Sequence, residues 1–216
     1  MVLKLYKLDA SPPVRSVLCV IELLEIPDVQ YEDVNLLEKE QLSESFLKIN
    51  PQHTVPTLVD DDLVIIDSHA IVTYLISKYG KDDALYPTDL KKRAIIDHKL
   101  HFDSGILFPA LRGTLEPVLS RGETSFRPEN LEKIKKGYDF IEKFFTGPWL
   151  AGDELTVADI CCVTSISTLN EMVPIDEATY PNLSAWLKRC SEQEFYKKAN
   201  APGLEFLSAY MKTKIA

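Results

Sequence analysis

The spacing of apolar residues changes period partway along the chain. Up to about residue 80 it alternates between the two-residue period of strands and the 3.6-residue period of helices. Residues 2–8 predict a short strand. Val14, Val17, Leu18, Ile21 and Leu24 then follow Ser11-Pro12-Pro13 at helical spacing. Residues 31–36 predict a second strand and residues 43–49 a short helix that ends at Asn50-Pro51. Thr57-Leu58-Val59 and Leu63-Val64-Ile65-Ile66 flank Asp60-Asp61-Asp62, the pattern of a hairpin with a polar turn. Ser68 is placed to cap a helix carrying Ile71, Leu75, Ile76 and Tyr79, with Gly80 placed to end it.

Beyond residue 89 only the helical period remains. Ile95, Ile96, Leu100, Leu107, Phe108, Leu111, Leu115 and Leu119 predict one long helix up to Gly122, and Leu131, Ile134, Tyr138 and Ile141 a second, antiparallel to it. Thr156-Val157-Ala158-Asp159 has the form of a capping box and opens a helix whose Ile160-Cys161-Cys162-Val163 is apolar on nearly every face. Residues 181–190 and 203–214 close a helical bundle. The order β-α-β-α-β-β-α is a thioredoxin-like layout, so the expected fold is α/β plus all-α. Residues 1–80 form the first domain, 81–88 a linker and 89–216 an all-helical second domain.

Composition narrows the partners. With 216 residues, 45% of them hydrophobic, the chain can bury a substantial core. Lys and Arg number 24 against 33 Asp and Glu, a formal charge of −9 that provides no basic footprint for nucleic acid or an anionic membrane. A small molecule or a protein is the expected partner. No stretch approaches the ~18 apolar residues needed to span a bilayer, and Met1-Val2-Leu3-Lys4-Leu5 lacks an apolar signal core, so the expected location is cytoplasmic. Cys19, Cys161, Cys162 and Cys190 show no CxxC spacing and lie among apolar residues, as reduced core thiols do.

Three local features carry chemistry. Ser11 directly follows a strand and stands where helix N–H groups converge; taken alone it reads as an ordinary N-cap. In the run from Asn50 through His53, Thr54 and Val55 to Pro56, the proline precedes a strand and is a candidate cis residue exposing the backbone of Val55. Asp67-Ser68-His69 puts an acid and a hydroxyl at a helix start, suited to a ligand's ammonium and carboxylate or to capping alone.

Together, and in this order, the three features resemble the cytosolic glutathione transferase family, specifically its insect epsilon class. The resemblance spans nearly the whole chain and includes His101-Phe102-Asp103-Ser104, Leu155-Thr156-Val157-Ala158-Asp159 and Tyr180-Pro181-Asn182-Leu183 with Trp186. It implies the glutathione transferase fold, a homodimer, and glutathione as co-substrate with no metal. It makes Ser11 the thiol activator, Val55 beside Pro56 the backbone partner of the tripeptide's cysteine, and Asp67, Ser68 and neighbouring His69 the γ-glutamyl end of the site. His53 would lie near the glycyl part, and Arg112 would reach in from the second domain. Gln41 stands where epsilon enzymes often have histidine, and it donates hydrogen bonds without charge. The implied co-substrates are small hydrophobic electrophiles, for which Leu36, Phe108, Leu111, Leu115, Leu119 and Phe206 are the candidate pocket. The function expected is conjugation in detoxification of xenobiotics, insecticides among them. A glutathione-dependent dehydrochlorinase or isomerase, including an ecdysteroid role, and a non-catalytic binding protein are the alternatives. In the ecdysteroid subgroup an acidic residue is expected where Leu111 stands.

A serine suffices for that chemistry. Lowering a thiol two units from about 8.5 takes ~2.7 kcal/mol of preference for the anion. A charge-assisted hydrogen bond contributes about 1.5–3 kcal/mol and a helix N-terminus a further ~0.3–1. Tyr6, near the end of the first strand, is the rival, since other classes use a tyrosine there. His98 and His101, three apart with Asp97 and Asp103 nearby, have metal-ligand spacing but no further Cys or His to complete a site.

Overall fold

The computed structural model describes residues 3–215, so Val2 of the expected first strand lies outside them. The N-terminal part follows the expected order: β1 Leu3–Lys7, α1 Pro12–Leu23, β2 Val29–Asp33, α2 Glu44–Ile49, β3 Thr57–Asp60, β4 Leu63–Ile66 and α3 Ser68–Tyr79. The sheet runs β2-β1-β3-β4, with β1 parallel to β2 and antiparallel to β3, and β3 antiparallel to β4. The Asp61 turn residue takes φ 52°, and Gly80 stops α3 where any Cβ would meet the Ile76 carbonyl at 2.5 Å.

The helical part holds α4 Leu90–Phe102, α5 Phe108–Arg121, α6 Pro128–Glu142, α7 Val157–Met172, α8 Pro181–Ser191 and α9 Ala201–Lys212. The single long helix expected up to Gly122 is two helices joined by a π turn at Asp103–Leu107. Its apolar spacing hides the break, because a π turn adds one residue without interrupting the buried stripe. Gly122 ends α5 as expected, at φ 74°. A second π turn, Tyr196–Asn200, leads into α9.

The four cysteines are free and buried. Helix α7, buried along nearly its whole length, is the axis of the helical half. Asp159 pins its start: the fully buried carboxylate accepts from the Leu150 and Thr156 amides at 2.8 and 2.9 Å and from the Trp186 indole at 2.9 Å. Among the described residues no helix is long and apolar enough to cross a membrane. Asp159→Ala strands these three donors in the core, and a loss of at least ~3 kcal/mol is expected in the unfolding free energy from chemical denaturation.

Candidate active site

Ser11 occupies the N-cap position of α1 but does not cap it. Its φ/ψ of −74°/121° is extended, its amide donates to the Leu8 carbonyl at 2.8 Å, and its side chain makes no capping hydrogen bond. Pro12 and Pro13 in the first turn supply no N–H for the hydroxyl to satisfy. The half-buried hydroxyl therefore stands at a helix start, where the field favours an anion, without a duty inside the helix.

The Val55–Pro56 peptide bond is cis. The loop before it is organised by buried Asn50, whose Nδ2 donates to the Thr54 carbonyl at 2.9 Å and the Thr57 hydroxyl at 2.8 Å, while its Oδ1 accepts from the Gln52 amide. His53, at φ 47°, is exposed on that loop. The residue capping α3 is Asp67 rather than Ser68. Its Oδ1 accepts from the His69 and Ala70 amides at 2.9 and 3.2 Å, and Ser68 becomes the first helical residue. Asp67 sits at φ 102°, ψ 120°, a conformation costly for any side chain and of the kind that gathers at ligand sites.

A cleft of about 180 Å³ runs between the two halves. Val55, Pro56, Asp67, Ser68 and His69 form one wall; Phe108 and Arg112, four residues apart on α5, belong to the other. Pro13, two residues past Ser11, is also in the lining. Of the remaining candidates, Gln41 is half-buried with its Oε1 unpartnered, and Leu36 packs beside Val14, Val34, Phe46 and Val55. Neither these two nor His53 is among the residues that line the cleft, and Ser11 itself stands beside the lining residue Pro13 without being one of them. Leu111 and Leu115 turn into the core and Leu119 packs against it, because they lie on the next stripe of α5 from Phe108 and Arg112. Position 111, where a steroid-binding relative would have an acid, is thus a core position. Phe206 is 65% exposed on α9 and also outside the cleft. Tyr6 lies edge-on to Phe46, with ring centroids 5.6 Å apart, and lines a separate groove with Glu32, Asp33 and Glu40.

The π turn contributes residues that periodicity concealed. Asp103 and Ser104 line the cleft, and Asp103 Oδ2 bonds His69 Nε2 at 2.9 Å across the two halves. Burial opposes the imidazolium, yet the Cys161 thiol and the Asp103 carboxylate more than offset it, so His69 titrates above its usual range. Burial pushes the Cys161 thiol up, leaving Asp103 as the formal charge that holds the proton on His69. Cys161, His69 and Asp103 have the composition of a nucleophilic triad, disarmed because the completely buried sulfur resists ionisation. Thr164 and Ser165 of α7 add hydroxyls to the cleft. The signal for Asp103 was an acid inside an otherwise apolar run. On the rim, Arg112 Nε is held by Glu116 at 3.1 Å. Among the described residues no cluster of His, Cys, Asp and Glu is placed to hold a metal ion, and His98 instead lies edge-on to Phe144.

The molecule is thus a thioredoxin-like sheet whose first helix starts at a serine with no capping bond, joined to an all-helical half across a cleft. The family model for the glutathione S-transferase N-terminal domain matches residues 5–83, and that for the C-terminal domain matches residues 104–194. Glutathione S-transferase 1 of Manduca sexta is 67% identical, over 100% of both chains. An epsilon-class glutathione S-transferase structure from the housefly, Musca domestica, shares 47% identity with a TM-score of 0.95 over 98% of each chain. A Drosophila mojavensis glutathione transferase homologue, solved with bound glutathione, shares 48% at TM-score 0.95 over 99% of this chain and 98% of its own. The chain belongs to the glutathione S-transferase family and is a glutathione S-transferase of the insect epsilon kind.

Because the folded-state pKa of His69 is raised, its contribution to stability is complete below about pH 6.5 and is lost as pH climbs through the raised value. His69→Ala leaves Asp103 buried without its partner. It is expected to cost about 3–5 kcal/mol at neutral pH, with the deficit shrinking in alkaline unfolding titrations.

Proposed function

We propose that Ser11 holds the thiol of glutathione as a thiolate and that the cleft conjugates this sulfur to small hydrophobic electrophiles. The observation that carries this reading is the Ser11 hydroxyl at the start of α1, unused by the helix it begins. A hydroxyl donating to sulfur, reinforced by the N-terminal field of α1, favours the anion. The sulfur attacks an electrophilic carbon, a carbon–sulfur bond replaces the bond to the leaving group, and the thiol proton passes to solvent. Serine neither attacks nor abstracts.

The rest of the tripeptide is assigned as the family resemblance implies. The Val55 backbone serves the cysteinyl peptide, and the second Asp67 oxygen, which caps nothing, serves the γ-glutamyl ammonium alongside Ser68. His53, Gln41 and Arg112 serve the glycyl carboxylate, with Arg112 tethered through Nε and its terminal nitrogens free of Glu116. Phe108 offers the apolar surface for the electrophile. Detoxification of xenobiotics, insecticides included, in the cytoplasm as a homodimer is the physiological setting we infer, on the strength of the family.

Incubation with an aromatic halide, an organochlorine and an unsaturated ketone, with glutathione followed over time, tests the reaction. Conjugation consumes glutathione stoichiometrically; elimination or isomerisation returns it. Ser11→Ala is expected to lower kcat/KM by about 10- to 100-fold, the value of one charge-assisted hydrogen bond, while Tyr6→Phe leaves it nearly unchanged. The reverse order of effects would move the role to Tyr6.

A further inference from the structure

Arg15 is the largest buried charge that the site described above does not use. It lies on α1 one turn past Ser11, its amide donates to the Ser11 carbonyl at 3.0 Å, and its side chain is 0% exposed. Its guanidinium is met only by neutral groups. Nη1 donates to Asn200 Oδ1 at 2.7 Å, Nη2 donates to the Thr168 hydroxyl, and Nε has no partner. Buried guanidinium groups ordinarily carry a carboxylate with them, since an unpaired charge in the interior is costly.

The carboxylates nearest in sequence are committed elsewhere: Asp9 to Lys7 at 2.7 Å and Glu22 to Lys198 at 2.6 Å. The titratable groups facing the guanidinium are Cys19 on its own helix and Tyr196 on the second π turn. Burial raises both, so both are neutral at physiological pH. From α7 it meets Thr168, and α9 presents Gly203, which has no side chain. Burial pulls the guanidinium pKa down to about 10, which leaves the group charged at neutral pH.

The charge is adjacent to the site. A Cβ on Gly203 would sit 2.1 Å from the Asp9 carbonyl and 2.9 Å from Arg15 Cδ, so the turn delivering Ser11 and the Arg15 side chain share one point of close packing. On the other side, the Thr168 hydroxyl that accepts from Arg15 donates to the Thr164 carbonyl at 2.8 Å, and Thr164 lines the cleft, as does Ser16 beside Arg15.

We propose that Arg15 is the resident countercharge for the thiolate: a buried cation, left without a protein anion, that poises the substrate sulfur at Ser11 toward ionisation. This rests on the assignment of Ser11 as the thiolate's partner. Arg15 acts through the field it sets behind the cleft floor and does not touch the substrate. In a medium of low dielectric, a nearby cation favours the anionic form of a thiol without any hydrogen bond to it.

Asn200→Asp keeps the size of the side chain and its bond to Nη1 while supplying the missing negative charge; it gives up the Nδ2 donation to the Ser167 hydroxyl at 3.2 Å, whose oxygen can turn its own proton to the new carboxylate. The ultraviolet absorption of the thiolate is titrated against pH for the enzyme–glutathione complex, alongside the pH profile of kcat/KM and the thermal midpoint. The expected result is a rise of about one pH unit in the bound thiol's pKa. Roughly tenfold lower kcat/KM follows on the acid limb, recovering at high pH, with the thermal midpoint held or raised. Arg15→Met, which removes the charge in place of neutralising it, is expected to move the titration the same way, and either variant suffices if the other does not fold. An unmoved thiol titration in a folded variant, whatever the thermal midpoint does, overturns the proposal. Absence of the thiolate band from wild type, or its persistence unchanged in Ser11→Ala, would instead defeat the Ser11 reading on which it rests.

Discussion

Helix α1 is packed on both sides, and the rest of the molecule is arranged around that constraint. It contacts α3 within the thioredoxin-like half, and α7 and the second π turn in the helical half. Val14, Val17, Cys19, Val20 and Ile21 are all buried, at about 1.5–3 kcal/mol for each large aliphatic side chain. A helix buried all round cannot shift without opening both halves. Its N-terminus therefore meets the cleft at a defined place, and the residue there inherits the helix field together with a rigid position.

The charges in this junction are of two kinds. His69 and Asp103 neutralise one another across the cleft, so their contribution is to hold the two walls in register. Among the described residues Arg15 has no carboxylate partner, and its hydrogen bonds to Asn200 and Thr168 orient the group without cancelling its charge. A compensated pair stabilises the fold; the uncompensated cation is the one we propose lends its field to the substrate sulfur. The same interior dielectric strengthens both effects, and burial disarms Cys161 by the same physics that keeps the surface pairs around Arg112 and Glu116 weak.

Much of the fold was legible because its signals are local. The β-α-β-α-β-β-α order, the cis proline after Val55 and the Thr156–Asp159 start of α7 depend on neighbours a few residues apart. The misreadings share a cause. Ser68 and Asp67 are both good caps, and only the unusual backbone of Asp67, imposed by the β4–α3 junction, decides between them. The π turn kept the apolar rhythm while rotating α5, so Leu111 and Leu115 entered the core and Phe108 and Arg112 met the cleft. That the Tyr6 ring turns toward Phe46 and another groove is likewise a matter of distant contacts.

What the sequence by itself determined is the set of elements, the division between a mixed half and a helical half, and the family of chemistry implied by Ser11, Pro56 and Asp67-Ser68. Period, capping and turn preferences are short-range properties of the chain, so they can be read in order along it. Only the tertiary structure decided which groups are unsatisfied. That Ser11 leaves its own helix uncapped, that Asp103 crosses to His69, and that Arg15 is enclosed without a carboxylate are facts about partners distant in sequence. A residue's charge is written in its side chain, but whether that charge is cancelled depends on what the fold packs against it.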